Sequence, residues 1–341
     1  MSPRRCLAGL AVTFGVGLIW ATPSLAGTAT TPSTPATSGA GSTTTGALAV
    51  PGSATIYLPD VFFVEHRAVT VPRRSFHVVG IVRPYLPGQS LTVQARLGQR
   101  VIRTEKVTPI ASANRTYGHF RLRLVSPAAG RLSVLVTHVA SPQLRAFSAR
   151  RTVAVVNERA GPGATGTFVR LVQQRLRTLH FYVPQTGVYD QGTEWAIDAY
   201  HRLLRWGTSR SLDGRTTSFL LDGFGSFRVR FPHHGRHAEG NLSLQLLALI
   251  DSDHVDAIYP ISSGKPSTPT ILGDFHVYSK VPGYLPDGMY YSNFFIRGYA
   301  IHGYDPAPDY PASHGCMRLP ISDATSVYGW LAIGDWVDVY G

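Results

Sequence analysis

The sequence predicts a multidomain, mainly β protein in which two strand-rich regions flank a short helical one. Three observations carry this prediction. Apolar and polar residues alternate with period 2 between about Ile56 and Val156, spacing turns helical between 160 and 225, and strand patterning rich in Gly, Pro and aromatic residues returns from Arg228 onward. A length of 341 residues accommodates two or three domains. The 34 glycines and 24 prolines, against only 15% charged residues, point to many turns and some linker.

The first residues read as an export signal. "MSPRR" is a short positive stretch, "CLAGLAVTFGVGLIW" an apolar core too short to span a bilayer comfortably, and "SLA" before Gly27 an A-x-A-like cleavage site. Residues 1–26 are therefore expected to be removed, and Cys6 with them. Cys6 lies ahead of the apolar core rather than at the cleavage point, which argues against a lipid-modified cysteine. The expected location is extracytoplasmic, in the cell wall, with no transmembrane segment after cleavage. Residues 27–53 are low-complexity Thr, Ser, Pro and Gly with too little apolar mass to fold, and read as a disordered tether.

The formal net charge is +12. No Lys/Arg run or recognition helix accompanies it, so nucleic acid is not an expected partner; arginines alternate with apolar residues along the strands. The charge reads as solvated strand faces with a general attraction to polyanions.

Residues 54–157 are expected to form an immunoglobulin-like β-sandwich. In "SLTVQARL", Leu91, Val93, Ala95 and Leu97 share one face; in "HFRLRLV", Phe120, Leu122 and Leu124 face one way and Arg121 and Arg123 the other. The region carries no recognisable chemistry and reads as a spacer or binding module.

Residues 160–225 form the helical region. "TFVRLVQQRLRTL" places Phe168, Leu171, Val172, Leu176 and Leu179 on one face, and "GTEWAIDAYHRLL" does the same with Ala196, Ile197, Tyr200 and Leu203. Two similar turns, Tyr189 to Thr193 and Leu212 to Thr216, look like copies of one helix-start device, with Thr193 or Thr216 as the expected cap. These features resemble the three-helix peptidoglycan-binding domain, type 1. Val172-Gln173 stands for that family's Leu-Gln pair, and Tyr200-His201 for its Phe-Gln. The resemblance implies a small domain that holds cell-wall glycan.

Residues 228–341 are expected to form a mostly β domain. "NLSLQLLALID" offers Leu242, Leu244, Leu246, Ala248 and Ile250 in alternation, and "GWLAIGDWVDVYG" suggests a short helix and a closing strand. The "HHGRH" cluster at His233, His234 and His237 reads as an exposed linker. "YPASHGCMRLP" contains Cys316, the one cysteine left after signal removal, which therefore has no internal disulfide partner. A nucleophilic thiol needs a lowered pKa, a base and oxyanion donors. His302 ends the "RGYAIHG" strand, His314 sits two residues before the thiol, Gly315 permits a tight backbone, and Arg318 lies on the thiol's strand side. Zinc bound by His302, His314 and Cys316 is a lesser reading, because no CxxC, HExxH or fourth ligand accompanies them. No metal or cofactor is expected.

Taken together, His302-Gly303 followed by Ser313-His314-Gly315-Cys316 and Arg318 resembles the active-site signature of the L,D-transpeptidase (YkuD) family. "SSGKPSTPT" with "LGDF" resembles an upstream segment of the same family, with Ile271 where proline is common. The resemblance implies a YkuD-like β-sandwich catalytic domain. Cys316 would be the nucleophile and His302 the proton acceptor and donor. Gly303 and Ser313 would orient the imidazole, and the His314, Gly315 and Cys316 amides would be oxyanion donors. Arg318, Tyr290 and Tyr291 are the substrate-binding candidates. Donor and acceptor peptidoglycan stem peptides would be the substrates, with release of D-alanine, a 3→3 cross-link as product and carbapenem β-lactams as covalent inhibitors. A carboxypeptidase or hydrolase on the same site, a non-catalytic wall-binding protein and a cysteine peptidase are the alternatives; no papain-like context supports the last.

Overall fold

The computed structural model describes residues 49–341. The expected signal segment, Cys6 and most of the expected tether lie outside the described residues.

Ten strands build the first region: β1 (Ser53–Tyr57), β2 (Phe62–Val64), β3 (Arg67–Thr70), β4 (Ser75–Arg83), β5 (Leu91–Leu97), β6 (Arg100–Val107), β7 (Ile110–Ala111), β8 (Gly118–Val125), β9 (Gly130–His138) and β10 (Phe147–Val155). They form two sheets, ordered β1-β4-β8-β7 and β2-β3-β10-β9-β5-β6. Alternation decides which face is buried. Phe120, Leu122 and Leu124 from β8 meet Leu91, Val93 and Ala95 from β5 and Leu132, Val134 and Val136 from β9 in one core. Each of these side chains larger than alanine contributes ~1.5–3 kcal/mol of burial. The tether ends earlier than its composition suggests. Val50 N–H donates to Gln143 O (3.0 Å) and Val50 O accepts from Arg145 N–H (2.9 Å), so backbone pairing recruits these residues to the sandwich.

Three helices follow: α1 (Thr167–Thr178), α2 (Gln191–Leu203) and α3 (Gly214–Asp222). Their caps differ from the expected threonines. Asp190 Oδ1 accepts from Thr193 N–H (2.9 Å) and Asp213 Oδ1 from Thr216 N–H (2.6 Å). An aspartate at N-cap offers a charged acceptor to the amide three residues on, which places each threonine inside the first turn. Gln173 is fully buried, and its amide ties α1 to the turn before α2 through Gly187 N–H (2.8 Å), Val188 O (2.9 Å) and Thr193 Oγ1 (2.9 Å).

The last region contains β11 (Arg236–Asn241), β12 (Leu246–Asp251), β13 (His254–Pro260), β14 (Gly273–His276), β15 (Ser279–Tyr284), β16 (Tyr290–Ile296), β17 (Tyr299–Gly303), β18 (Met317–Leu319), α4 (Ile321–Trp330) and β19 (Trp336–Tyr340). Two sheets, β13-β12-β11-β19-β14 and β15-β16-β17-β18, enclose a core that includes Leu247, Leu249, Phe295, Ile301, Met317, Leu319 and Val337. The closing helix is earlier than expected: α4 ends at Trp330, ahead of the "LAIGD" turn.

Two other expectations change. Leu242 to Gln245 form a turn rather than the start of a strand, with Gln245 at φ 53°. The strand proper, β12, is buried at every position from Leu246 to Ile250 because both faces are covered. Leu247 and Leu249 face the core of the C-terminal region; Leu246, Ala248 and Ile250 join the core of the helical region. The histidine cluster is also an exposed linker only at His233. His237 is fully buried, and His234 Nδ1 lies 3.0 Å from Asp338 Oδ1. Glu239 Oε1 accepts from the Arg230 and Phe231 amides (2.7 and 2.8 Å), so buried carboxylates pin this connection across the outer face of the sheet.

Candidate active site

The site is assembled on the β17–β18 pair. These strands run parallel, with Ile301 opposite Met317, His302 opposite Arg318 and Gly303 opposite Leu319. Ile301, Met317 and Leu319 point into the core, so period 2 sends His302, Arg318 and, two residues before it, Cys316 to the other face. His302 is nonetheless only 1% exposed.

That burial fixes the imidazole's state. Gly303 O is 2.8 Å from His302 Nδ1 and, being a carbonyl, accepts its proton. The ring is held neutral, because burial pushes its pKa down to about 4, reinforced by the Arg318 charge and only partly opposed by the Gly303 bond. A neutral ring with Nδ1–H has an unprotonated Nε2, the form a base requires.

The thiol departs from expectation. Burial pushes the Cys316 pKa up; the Ala300 amide and Arg318 oppose the shift without reversing it. The sequence offers the cation but not the depth of the site, and desolvation wins. Cys316 Sγ lies 3.9 Å from Gly298 O, and among the described residues no hydrogen bond joins it to His302. The resting pair is a thiol and a neutral imidazole on one sheet face.

Ser313 builds the turn in front of the thiol. Its Oγ–H donates to Cys316 O (2.6 Å) and its oxygen accepts from Gly315 N–H (3.1 Å). The hydroxyl is thereby committed to the turn rather than to the imidazole, whose one hydrogen bond among the described residues is to the Gly303 carbonyl. The Gly315 amide is engaged as well, which leaves the His314 and Cys316 amides outside the turn's own bonds. Gly315 has φ +120°, and a Cβ there would come 2.6 Å from the Tyr299 ring, so only glycine fits. The His314 side chain is exposed, with Nε2 accepting from Lys265 Nζ at 3.2 Å.

The upstream "SSGKPSTPT" segment runs along the free side of β18. Ser262 and Arg318 exchange backbone bonds of 2.9 and 3.0 Å, Ser263 O accepts from the Ala312 and Ser313 amides, and Lys265 N–H donates to Ser313 O (3.0 Å). A Cβ on Gly264 would sit 2.3 Å from Thr268 O, so a second glycine permits the close fold-back of this segment.

Tyr290 and Tyr291 do not join the cysteine. Tyr290 pairs with Gly303, whose Cα faces Ala324 and Ile321 of α4, and Tyr291 packs edge-on against Tyr328 of α4 at 5.0 Å. A left-handed backbone at Tyr291 (φ 50°) breaks strand alternation and lets the two rings meet at 4.6 Å on this side. Tyr304, which sequence reading missed, is an aromatic at the site, as is Tyr299 against Gly315. Arg318 Cζ stacks 3.9 Å over its ring, and His302 meets it edge-on at 5.8 Å. Its place one residue past His302-Gly303 was the available signal.

Residues 235–339 match the protein family described as L,D-transpeptidase catalytic domain (YkuD), and residues 165–206 match the putative peptidoglycan binding domain. The C-terminal region is a YkuD domain. The chain is similar to a crystal structure of the L,D-transpeptidase from Xylanimonas cellulosilytica DSM 15894, at 28% identity over 53% of this chain and 97% of that one, with a TM-score of 0.48. The catalytic domain of the E. faecium L,D-transpeptidase matches at 28% identity over 31% of this chain and 98% of that one, with a TM-score of 0.28. An L,D-transpeptidase from Mycobacterium smegmatis matches at 12% identity over 84% and 100%, with a TM-score of 0.28. No curated protein matches the chain. Within the YkuD domain, the Ser262–Thr270 segment, the Ser313–Arg318 turn and strand β17 are three separated stretches of sequence that the β17–β18 pairing and the Ser262–Arg318 bridge bring side by side.

Proposed function

We propose that the chain is an exported L,D-transpeptidase that forms 3→3 peptidoglycan cross-links through a Cys316 thioester. The observation that carries this reading is the buried neutral His302, with Nδ1–H committed to Gly303 O and Nε2 free, on the same sheet face as the Cys316 thiol. In the first half-reaction Sγ attacks the carbonyl of the third stem residue as its proton passes to His302 Nε2. The C–N bond then breaks, the imidazolium returns that proton to the departing amine, and D-alanine leaves. The amine of a neighbouring stem next attacks the thioester, loses a proton to His302 and expels the thiolate, which is reprotonated. Because both partners rest neutral, proton transfer accompanies attack rather than preceding it.

The His314 and Cys316 amides, which make no hydrogen bond among the described residues, are the proposed oxyanion donors. Arg318 is the proposed partner of a stem carboxylate: it stacks on Tyr304, and its buried Nε has no hydrogen-bond partner among the described residues. The wall-binding-type helices beside the site raise the local concentration of stems. Water as second acceptor would make the same site an L,D-carboxypeptidase; a non-catalytic wall-binding protein would leave the thiol unacylated. Incubation with disaccharide-tetrapeptide separates these by product mass: cross-linked dimer with free D-alanine supports transpeptidation, tripeptide alone supports hydrolysis, and no product supports binding only. Acylation of Cys316 by a carbapenem, read by intact mass, is expected as well.

A further inference from the structure

Helix α2 belongs to the helical region, yet one of its side chains ends inside the catalytic domain. Arg202 is 4% exposed and pairs with Asp198, fully buried one turn earlier, at 2.5 Å. Its Nη1 donates to Gln245 O (3.0 Å) and to Ile261 O (2.9 Å), two carbonyls of the catalytic domain. Burying a guanidinium costs several kcal/mol; the Asp198 charge and the two Nη1 bonds offset that cost here, and those two bonds fix where the group sits.

Both carbonyls lead to the thiol. Gln245 is the left-handed residue of the turn before β12, and Gln245 O also accepts from Ile261 N–H (2.9 Å). Its side chain grips Ser263 at both ends: Oε1 accepts from Ser263 N–H (2.9 Å) and Nε2 donates to Ser263 Oγ (2.7 Å). Ser263 O in turn holds the Ala312 and Ser313 amides, while Ser262 bonds Arg318 through both backbone groups. An unbroken series of hydrogen bonds therefore runs from α2 to the turn that carries Cys316.

We infer that Arg202 is a positioning residue for the Cys316 site, and that the helical region is a structural part of the active site rather than a tethered wall anchor alone. Arg202 acts by fixing Gln245 and Ile261. These fix the Ser262–Ser263 segment, which sets the Ser313–Cys316 turn and Arg318. At 4% exposure Arg202 has no surface to offer a glycan, so its role is not wall contact.

The rate arm of the test rests on the reading of Cys316 as an acylated nucleophile; a second arm does not. The full chain is compared with Asp198→Asn/Arg202→Gln, which removes both charges together and leaves no orphaned buried ion. Leu132→Ala, buried in the separate core of the N-terminal sandwich, serves as a control matched for loss of Tm. Hydrogen exchange of the peptide spanning 310–319 and single-turnover acylation by a carbapenem are measured for all three. The expected result is faster exchange in that peptide and about tenfold slower acylation for the double variant, with the control at wild-type values. Arg202→Lys, which keeps the charge but loses the fork, should fall between and serves if the double variant does not fold. Unchanged exchange in the double variant or in Arg202→Lys, or an equal change in the control, overturns the inference. If the wild type is not acylated at all, the functional reading fails, and exchange alone decides the role of Arg202.

Discussion

The N-terminal and C-terminal sandwiches share a construction, two sheets closing on Val, Leu, Ile and Phe, and differ in the polar groups they bury. The first buries Thr70, Gln89, Ser112, Ser126 and His138, none of them a carboxylate. The second buries His237, Glu239, Ser262, Ser263, Asn293, His302, Ser313, Asp323 and Asp338. Burying polar groups costs stability unless each is bonded, so a region that buries many has a use for them. In the C-terminal sandwich one set holds the thiol's turn, another pins the connection from the helices, and His302 stands at the proposed reaction centre. The comparison teaches that two sandwiches of similar construction differ in what lies beneath their surfaces.

The sharpest break of the comparison is at the thiol. Cys316→Ala is expected to abolish D-alanine release, by at least ~10⁴-fold, with sacculus binding unchanged in a pull-down. His302→Gln should lower acylation ~10²–10⁴-fold and leave the fold intact by circular dichroism. Next comes Gly315→Ala, which meets both the left-handed backbone and the Tyr299 ring. Backbone strain of about 1–3 kcal/mol should appear as a lower Tm together with slower acylation.

Smaller effects separate stability from chemistry. Asp323 is buried without a cation, and burial pushes its pKa up to about 7. A carboxyl with a raised folded-state pKa destabilises progressively as pH rises from its unfolded value near 4 to about 7. Asp323→Asn should therefore gain unfolding free energy relative to wild type across that window, by up to about 4 kcal/mol, and nothing below it, as read by denaturant melts at pH 4 and pH 7.5. In the N-terminal sandwich, Arg121→Ala on the exposed face of β8 should shift stability by no more than about 0.5 kcal/mol and leave acylation unchanged. A large rate effect there would erase the division between the two sandwiches.

Much of this was legible in the sequence, for stated reasons. Period-2 alternation in β5 and β8 and the 3.6 period in α1 report which face is buried, because one face of each meets solvent. The same signal misled at Leu242 to Gln245, where a turn precedes a strand buried on both faces. The candidate thiol and imidazole were legible because they sit in short signatures; the direction of the thiol's pKa was not, because depth of burial is a property of the assembled sheets. Tyr290 and Tyr291 misled because a single left-handed residue turns both rings toward α4. Arg202 was invisible: an arginine in an amphipathic helix reads as surface, and only docking of α2 on the catalytic domain buries it.

The central claim is that an uncharged thiol–imidazole pair on β17–β18 performs acyl transfer. The most direct test is the pH dependence of single-turnover carbapenem acylation of Cys316, followed by intact mass. A neutral resting pair predicts an acid limb near pH 4, where His302 protonates, and a flat rate through neutral pH. A limb near pH 6 to 7, tracking formation of a thiolate–imidazolium pair, would contradict it, as would the absence of any adduct.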